Sequence, residues 1–315
     1  MTRRNLCLVL CVVCCALLAG CGGGTTYPKS SRTFSFDAQY GSPGSLPGQL
    51  NRQIGIDVAH GTNPDIYVAD TGNNRVQILS TSGGPPVVIG GPGSGPVQFR
   101  EPTDVVLVGS SLYVTDTGNY RVQQVTLAGG FVREFGQAGT GPGEFLMPTY
   151  IAASASQIFV VDSQVARVQV FDLSGNLVRS FGTFGAGNGE LQSPRGIVLR
   201  SSGGAYVASR DSNRVQLFDG LGSFVTGFGL PGWRLGELNG PEGLTLDSTG
   251  AIYVADSGNA RVELFQPTGV PETTFGSLGG GPGQMRQPTD LATDGLGRTY
   301  ESDTGNSRIQ RFVSP

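Results

Sequence analysis

The chain has 315 residues, 51 of them glycine and 19 proline, so 70 of 315 are turn formers. That is 22 % of the chain, against roughly 12 % in an average protein. Only 14 % of residues are charged while 38 % are hydrophobic, which excludes a charged tail, a coiled coil, a long helical bundle and charge-driven disorder.

The first predicted element is an export signal over residues 1–20. Arg3 and Arg4 supply its positive start, Leu6 to Leu18 its apolar run, and Ala19 and Gly20 the small residues before a cleavage point. The run is shorter than the about 20 residues that a membrane-spanning helix needs. Leu18-Ala19-Gly20-Cys21 resembles the lipobox of bacterial lipoproteins, which implies that Cys21 is acylated and becomes the new N-terminus. Cys7, Cys11, Cys14 and Cys15 would leave with the signal, so disulfides and cysteine metal sites are not expected. Residues 21–32 then read as the acylated cysteine and a flexible tether. The mature balance is 19 basic against 24 acidic residues, with Lys29 the only lysine. Nucleic acid is therefore not an expected partner. The expected location is outside the cytoplasm, held to the bacterial cell membrane or outer membrane by lipid alone.

From residue 33 to residue 315 the chain repeats. The phrase Asp-Thr-Gly-Asn-x-Arg-Val begins at Asp70, Asp116 and Asp303, with serine for threonine at Asp256, and worn copies begin at Asp162 and Ser209. The motif arginines are Arg75, Arg121, Arg167, Arg214, Arg261 and Arg308, spaced 46 or 47 residues apart. Around each lie four short runs of alternating hydrophobicity, such as Ile158-Phe159-Val160 and Val168-Gln169-Val170-Phe171. Glycine-rich linkers then lead to a proline at Pro102, Pro148, Pro194, Pro241 or Pro288. Four strands per repeat, six times over, predict an all-β, six-bladed β-propeller of four-stranded antiparallel blades. The sixth copy stops at Arg311-Phe312-Val313 without a fourth strand, while Thr33–Gly41 reads as a fourth strand with no blade before it. Pairing the two completes the last blade and hides both edges.

Tyr-Val-Ala-Asp-Thr-Gly-Asn-Asn-Arg-Val-Gln and Ser-Pro-Arg-Gly-Ile-Val resemble NHL repeats over nearly all of the mature chain. The resemblance implies a six-bladed propeller used as a binding platform.

The repeated residues point to structure, because a residue needed once per blade does a job that occurs once per blade. The motif aspartates are expected to accept backbone N–H bonds in the turn. Its Gly and Asn should tolerate positive φ, and its Arg should fork to a neighbouring blade's carboxylate or carbonyls. Function is expected where the copies differ, on the face that carries the linkers and the Asp-Thr-Gly-Asn turns. The departures there are Tyr120, Tyr150, Arg195, Trp233, Arg234 and Glu242, with Asp104 and Asp290 two residues after the repeat proline. Trp233, the only tryptophan, beside Arg234 has the composition of a binding hot spot; packing against a neighbouring loop is the structural alternative. Tyr150 and Arg195 could instead plug the channel mouth. Glu301, where other blades carry Val or Ala, implies a loosely packed last blade. His60, the only histidine, sits in a loop insertion on the opposite face and reads as solvated.

Propeller enzymes weigh against these readings. Amidating lyases hold zinc with several histidines and virginiamycin-type lyases rely on histidine; one histidine here makes an N/S zinc site implausible. Gluconolactonase-like propellers hold calcium at the channel, and Asp104, Asp290 and Glu242 could converge on such an ion. The expectation is a monomeric, tethered propeller that binds a protein or cell-envelope polymer, without catalysis or cofactor. A calcium-dependent lactonase or a lyase at the channel mouth is the alternative.

Overall fold

A computed structural model describes Tyr27 and residues 30–314; the signal, Cys21 and most of the tether lie outside the described residues. Twenty-four strands form six four-stranded antiparallel sheets, the blades of a propeller. The first strands are Ile56–Val58, Pro102–Val108, Pro148–Ala153, Pro194–Leu199, Pro241–Leu246 and Pro288–Thr293, in blades 1 to 6. They touch one another in a closed ring around the central channel.

Blade 6 is closed as the chain ends predict. Ser35–Tyr40 pairs antiparallel with Arg308–Val313 as its fourth strand, Phe36 opposite Phe312. The interior is divided into six apolar layers between blades rather than one core. Tyr67 and Ala69 of blade 1, for example, pack with Val105, Leu112 and Val114 of blade 2. The alternating pattern forces this, because each sheet is apolar on both faces and must be covered twice.

Two local features position the functional residues. The first strands of blades 2 to 6 slip register just after their proline, for instance between Pro148 and Ile151 and between Pro241 and Leu244. Thr149, Tyr150, Glu242 and Gly243 lie in these bulges, which re-aim side chains out of the ladder. The linkers fold back on themselves and bury one large apolar side chain each, such as Phe145, Leu191 and Leu238. Gly136 makes that possible: its φ is +95°, and a Cβ there would come within 2.6 Å of the Phe145 ring.

Candidate functional site

The repeated motif is a buried polar knot in each blade. In blade 1, Asp70 accepts from Asn51 N (2.8 Å), Asn73 Nδ2 (2.8 Å), Arg75 Nε (2.7 Å) and Gln77 Nε2 (2.9 Å). Arg75 then donates to the carbonyls of Ser45, Leu46 and Gln49 in the linker entering its blade. The same pattern joins Asp116 to Arg121, Asp256 to Arg261 and Asp303 to Arg308. Three expectations are corrected. In the five blades that carry the aspartate, the carboxylate met by the arginine is its own blade's, since Asp and Arg face each other across one hairpin, as in the pair Asp70–Arg75. The aspartate takes the N–H of the linker, not of the turn. Positive φ also falls one residue later than expected, on Asn74 (53°), Tyr120 (58°), Ala260 (51°) and Ser307 (52°). The motif asparagine keeps its side chain on the aspartate instead. The motif glycine is required by proximity, because a Cβ on Gly72 would lie 2.7 Å from the Asn51 carbonyl.

The worn copies are weaker knots. In blade 3, Arg167 sits 3.4 Å from Asp162. Blade 4 has Ser209 in place of the acid, and burial without a carboxylate lowers the Arg214 pKa. Blade 5 carries Glu263 where the others carry glutamine. Burial pushes its carboxyl up to about 7 despite the N–H of Gly236 and the guanidinium of Arg261. The unfolded chain ionises from about pH 4.5, whereas the folded chain keeps this proton to about 7. Stability is therefore lost as pH rises through that window. Glu263→Gln should remove the loss and stabilise by about 1–3 kcal/mol at pH 8, measured by urea unfolding at pH 5 and pH 8. An equal ΔΔG at both values would contradict it.

Glu301 also corrects an expectation. It is fully buried between Leu291 and Gln310, flanked by Tyr300 and Ser302 with no exposure, so blade 6 is tightly packed there. Burial, and Asp303 nearby, hold its carboxyl well above the usual range.

The irregular residues assemble at the linker end of the channel. Tyr150 crosses from blade 3 to blade 6, where its hydroxyl donates to the Thr289 carbonyl (2.8 Å) and lies 3.3 Å from Glu242 Oε2. Burial raises the Tyr150 pKa well above 10.0, with the Glu242 carboxylate adding to it. Glu242 of blade 5 in turn faces two arginines of blade 4, Arg210 Nε at 3.3 Å and Arg195 Nε at 3.6 Å. Burial still raises the Glu242 pKa against the pull of both guanidiniums. Arg210 escaped the sequence reading, although it replaces the motif Thr or Ser in the worn copy. In blades 2, 3 and 6 that position is a hydroxyl, Thr117, Ser163 or Thr304, donating to a carbonyl of the next blade. Blade 4 substitutes an ion pair for this link.

Asp104 and Asp290 are buried beneath Tyr150. Asp104 accepts the N–H of Ile151 (2.9 Å) in blade 3, and Asp290 that of Ile56 (2.8 Å) in blade 1. Each carboxylate thus satisfies a channel-facing N–H on the unpaired edge of the next first strand. Burial raises both pKa values. Asp57, which the sequence reading missed, repeats the device with Leu107 N (2.7 Å), and burial pushes it to about 6. Its signal was an acid at a register position held by Val106, Ala152, Val198, Thr245 and Ala292 elsewhere. Among the described residues no group of three or more His, Cys, Asp or Glu is placed to hold a metal ion.

Beyond Tyr150 the channel widens into a cavity of about 370 Å³, lined by Asp57, His60, Asp104, Tyr150 and Asp290 and by aliphatic residues of all six blades. His60 lies on the face opposite the linkers. The concave volume is therefore on the far side of Tyr150 from the linker face, where function was expected. Trp233 and Arg234 stand apart from the channel cluster on the linker between blades 4 and 5. Trp233 is exposed, with the Arg234 guanidinium 5.7 Å from its ring centroid. Tyr120 is exposed on the turn of blade 2.

This architecture defines a six-bladed β-propeller. A family model described as 6-bladed beta-propeller matches residues 97–179, and an NHL repeat model matches residues 238–265. The chain is an NHL-repeat six-bladed β-propeller. No curated protein matches it. Among solved structures, a protein of unknown function from Bacteroides thetaiotaomicron is similar at 16% identity and a TM-score of 0.69, over 90% of this chain and 77% of that one. A streptogramin B lyase is similar at 13% identity and a TM-score of 0.63, over 92% and 100%. A gluconolactonase from Xanthomonas campestris is similar at 12% identity and a TM-score of 0.63, over 92% and 99%. At such identities the likeness is one of fold.

Proposed function

We propose that this chain is an exported propeller, lipid-anchored through Cys21, that binds a protein or cell-envelope polymer as a monomer and carries out no reaction. Its ligand-facing surface is the linker face, with Tyr120 outward and Arg195 and Arg210 at the channel mouth. The observation that carries the reading is how the channel groups are engaged. The Tyr150 hydroxyl, both buried aspartates and Glu242 are each occupied in bonds between blades, as structural links would be. The acidic balance of the mature chain argues against nucleic acid.

The cavity holding His60 and Asp57, together with the lyase and lactonase of similar fold, supports catalysis as the second reading. Metal analysis of the purified protein separates the two. The binding reading expects less than one tenth of an equivalent of calcium. Stoichiometric calcium that is lost in Asp104→Ala while the fold persists would favour the lactonase.

A further inference from the structure

Among the described residues, five of the six most exposed large apolar side chains lie on the linkers: Phe184 (75 %), Trp233 (71 %), Leu278 (71 %), Leu230 (68 %) and Leu46 (65 %). They occupy four successive linkers, from the one between blades 3 and 4 round to the one between blades 6 and 1. The remaining two linkers carry glycine, proline, serine, glutamine, alanine and threonine at the same positions. Phe184 and Leu278 hold the same repeat position, and Leu230, Trp233 and Leu46 lie within three positions of it in their own linkers. Exposed apolar groups concentrated on one arc mark a contact surface.

The N-terminal arm indicates what covers it. Phe34 stacks on Phe275 at 4.4 Å, Arg32 pairs with Asp247 at 2.9 Å and Ser30 bonds Glu272 at 3.0 Å, all in blade 5. The Tyr27 ring lies beside Gly236, on the same linker as Leu230 and Trp233. Six residues from Tyr27 to Cys21 span at most roughly 20 Å. An acyl chain on Cys21 therefore keeps this linker within reach of the bilayer surface.

We propose that the arc of linkers from blade 3 to blade 1 rests on the lipid bilayer, with Trp233 and its apolar neighbours in the interface. This rests on the lipid-anchored reading above and assigns Trp233 and Arg234 to lipid rather than to a protein ligand. Indole, leucine and phenylalanine side chains partition to the headgroup boundary, and Arg234 can extend its charge to lipid phosphate while covering the indole. Tyr120 and the two linkers that flank blade 2 lie outside this arc.

The single tryptophan is the probe. The full-length protein is purified from membranes, the mass of its N-terminal peptide is determined for acylation, and it is reconstituted in phosphatidylcholine vesicles with brominated acyl chains. Trp233 emission should move to shorter wavelength and lose more than half its intensity to bromine. Phe184→Ser with Leu278→Ser should at least halve that quenching, whereas Leu221→Ser, on the opposite face, should leave it unchanged. Emission at the wavelength of a water-exposed indole, unquenched in vesicle-bound protein, would overturn the proposal, as would equal loss in the Leu221 variant. An unacylated Cys21 would refute the anchor alone. Vesicles added to that protein would still decide the rim, by quenching or its absence.

Discussion

Deleting residues 27–41 should lower the melting temperature on the order of 10 °C or more. The deletion removes the fourth strand of blade 6 and leaves Arg308–Val313 as an open edge. It also strips Phe34 and Phe36 from the Phe275 and Phe312 rings and takes Gln39 from Arg308 and Asp37 from Arg311. Two large apolar side chains alone contribute several kcal/mol, and for a domain of this size each kcal/mol moves the midpoint by about 2–4 °C. A shorter deletion of residues 27–32 removes only the contacts of the arm with blade 5 and should cost far less. Calorimetry of the two truncations against the whole chain tests this. Equal midpoints for all three would mean that the N-terminal strand does not close the ring.

The second large effect concerns the motif arginines, which are not equivalent. Arg308 donates to Asp303 (2.8 Å), to Gln39 (3.0 Å) and to the carbonyls of Gly281 and Gln284 (2.8 Å each). It joins its own hairpin, the preceding linker and the closing strand. Arg308→Ala would leave the Asp303 carboxylate buried without its cation, which costs about 3–5 kcal/mol. Arg214→Ala removes no partner of a buried acid, because blade 4 has Ser209 there; it loses contacts to Ala186 O (3.1 Å) and Asn188 Oδ1 (3.2 Å). That should cost about 1 kcal/mol. Arg308→Lys should recover little, since a point charge cannot reproduce the fork. Urea unfolding at constant m-value measures all three; equal costs for Arg308→Ala and Arg214→Ala would contradict the knot as described.

What the amino-acid sequence determined by itself was the repeating part. The 46- or 47-residue spacing of the arginines, the four alternating runs per copy and the unmatched strand Thr33–Gly41 required a ring of six blades and its closure. These are local signals, legible because each copy restates them. The glycine and proline that opened the question are its turns and linkers, with Gly72 and Gly136 needed for close approach and for positive φ. Tertiary structure alone decided the details at the candidate site. Tyr150 meets Glu242 and Thr289 across 92 and 139 residues of chain, a contact that exists only because the ring brings blades 3, 5 and 6 around one channel. The bulge after each proline turns Tyr150, Asp104 and Asp290 inward, and no periodicity announces a bulge. Arg210 and Asp57 carried a signal only as departures from register, and their partners lie on the next blade. The side of Tyr150 on which the cavity opens depends on the packing of all six first strands at once, so no single repeat could report it.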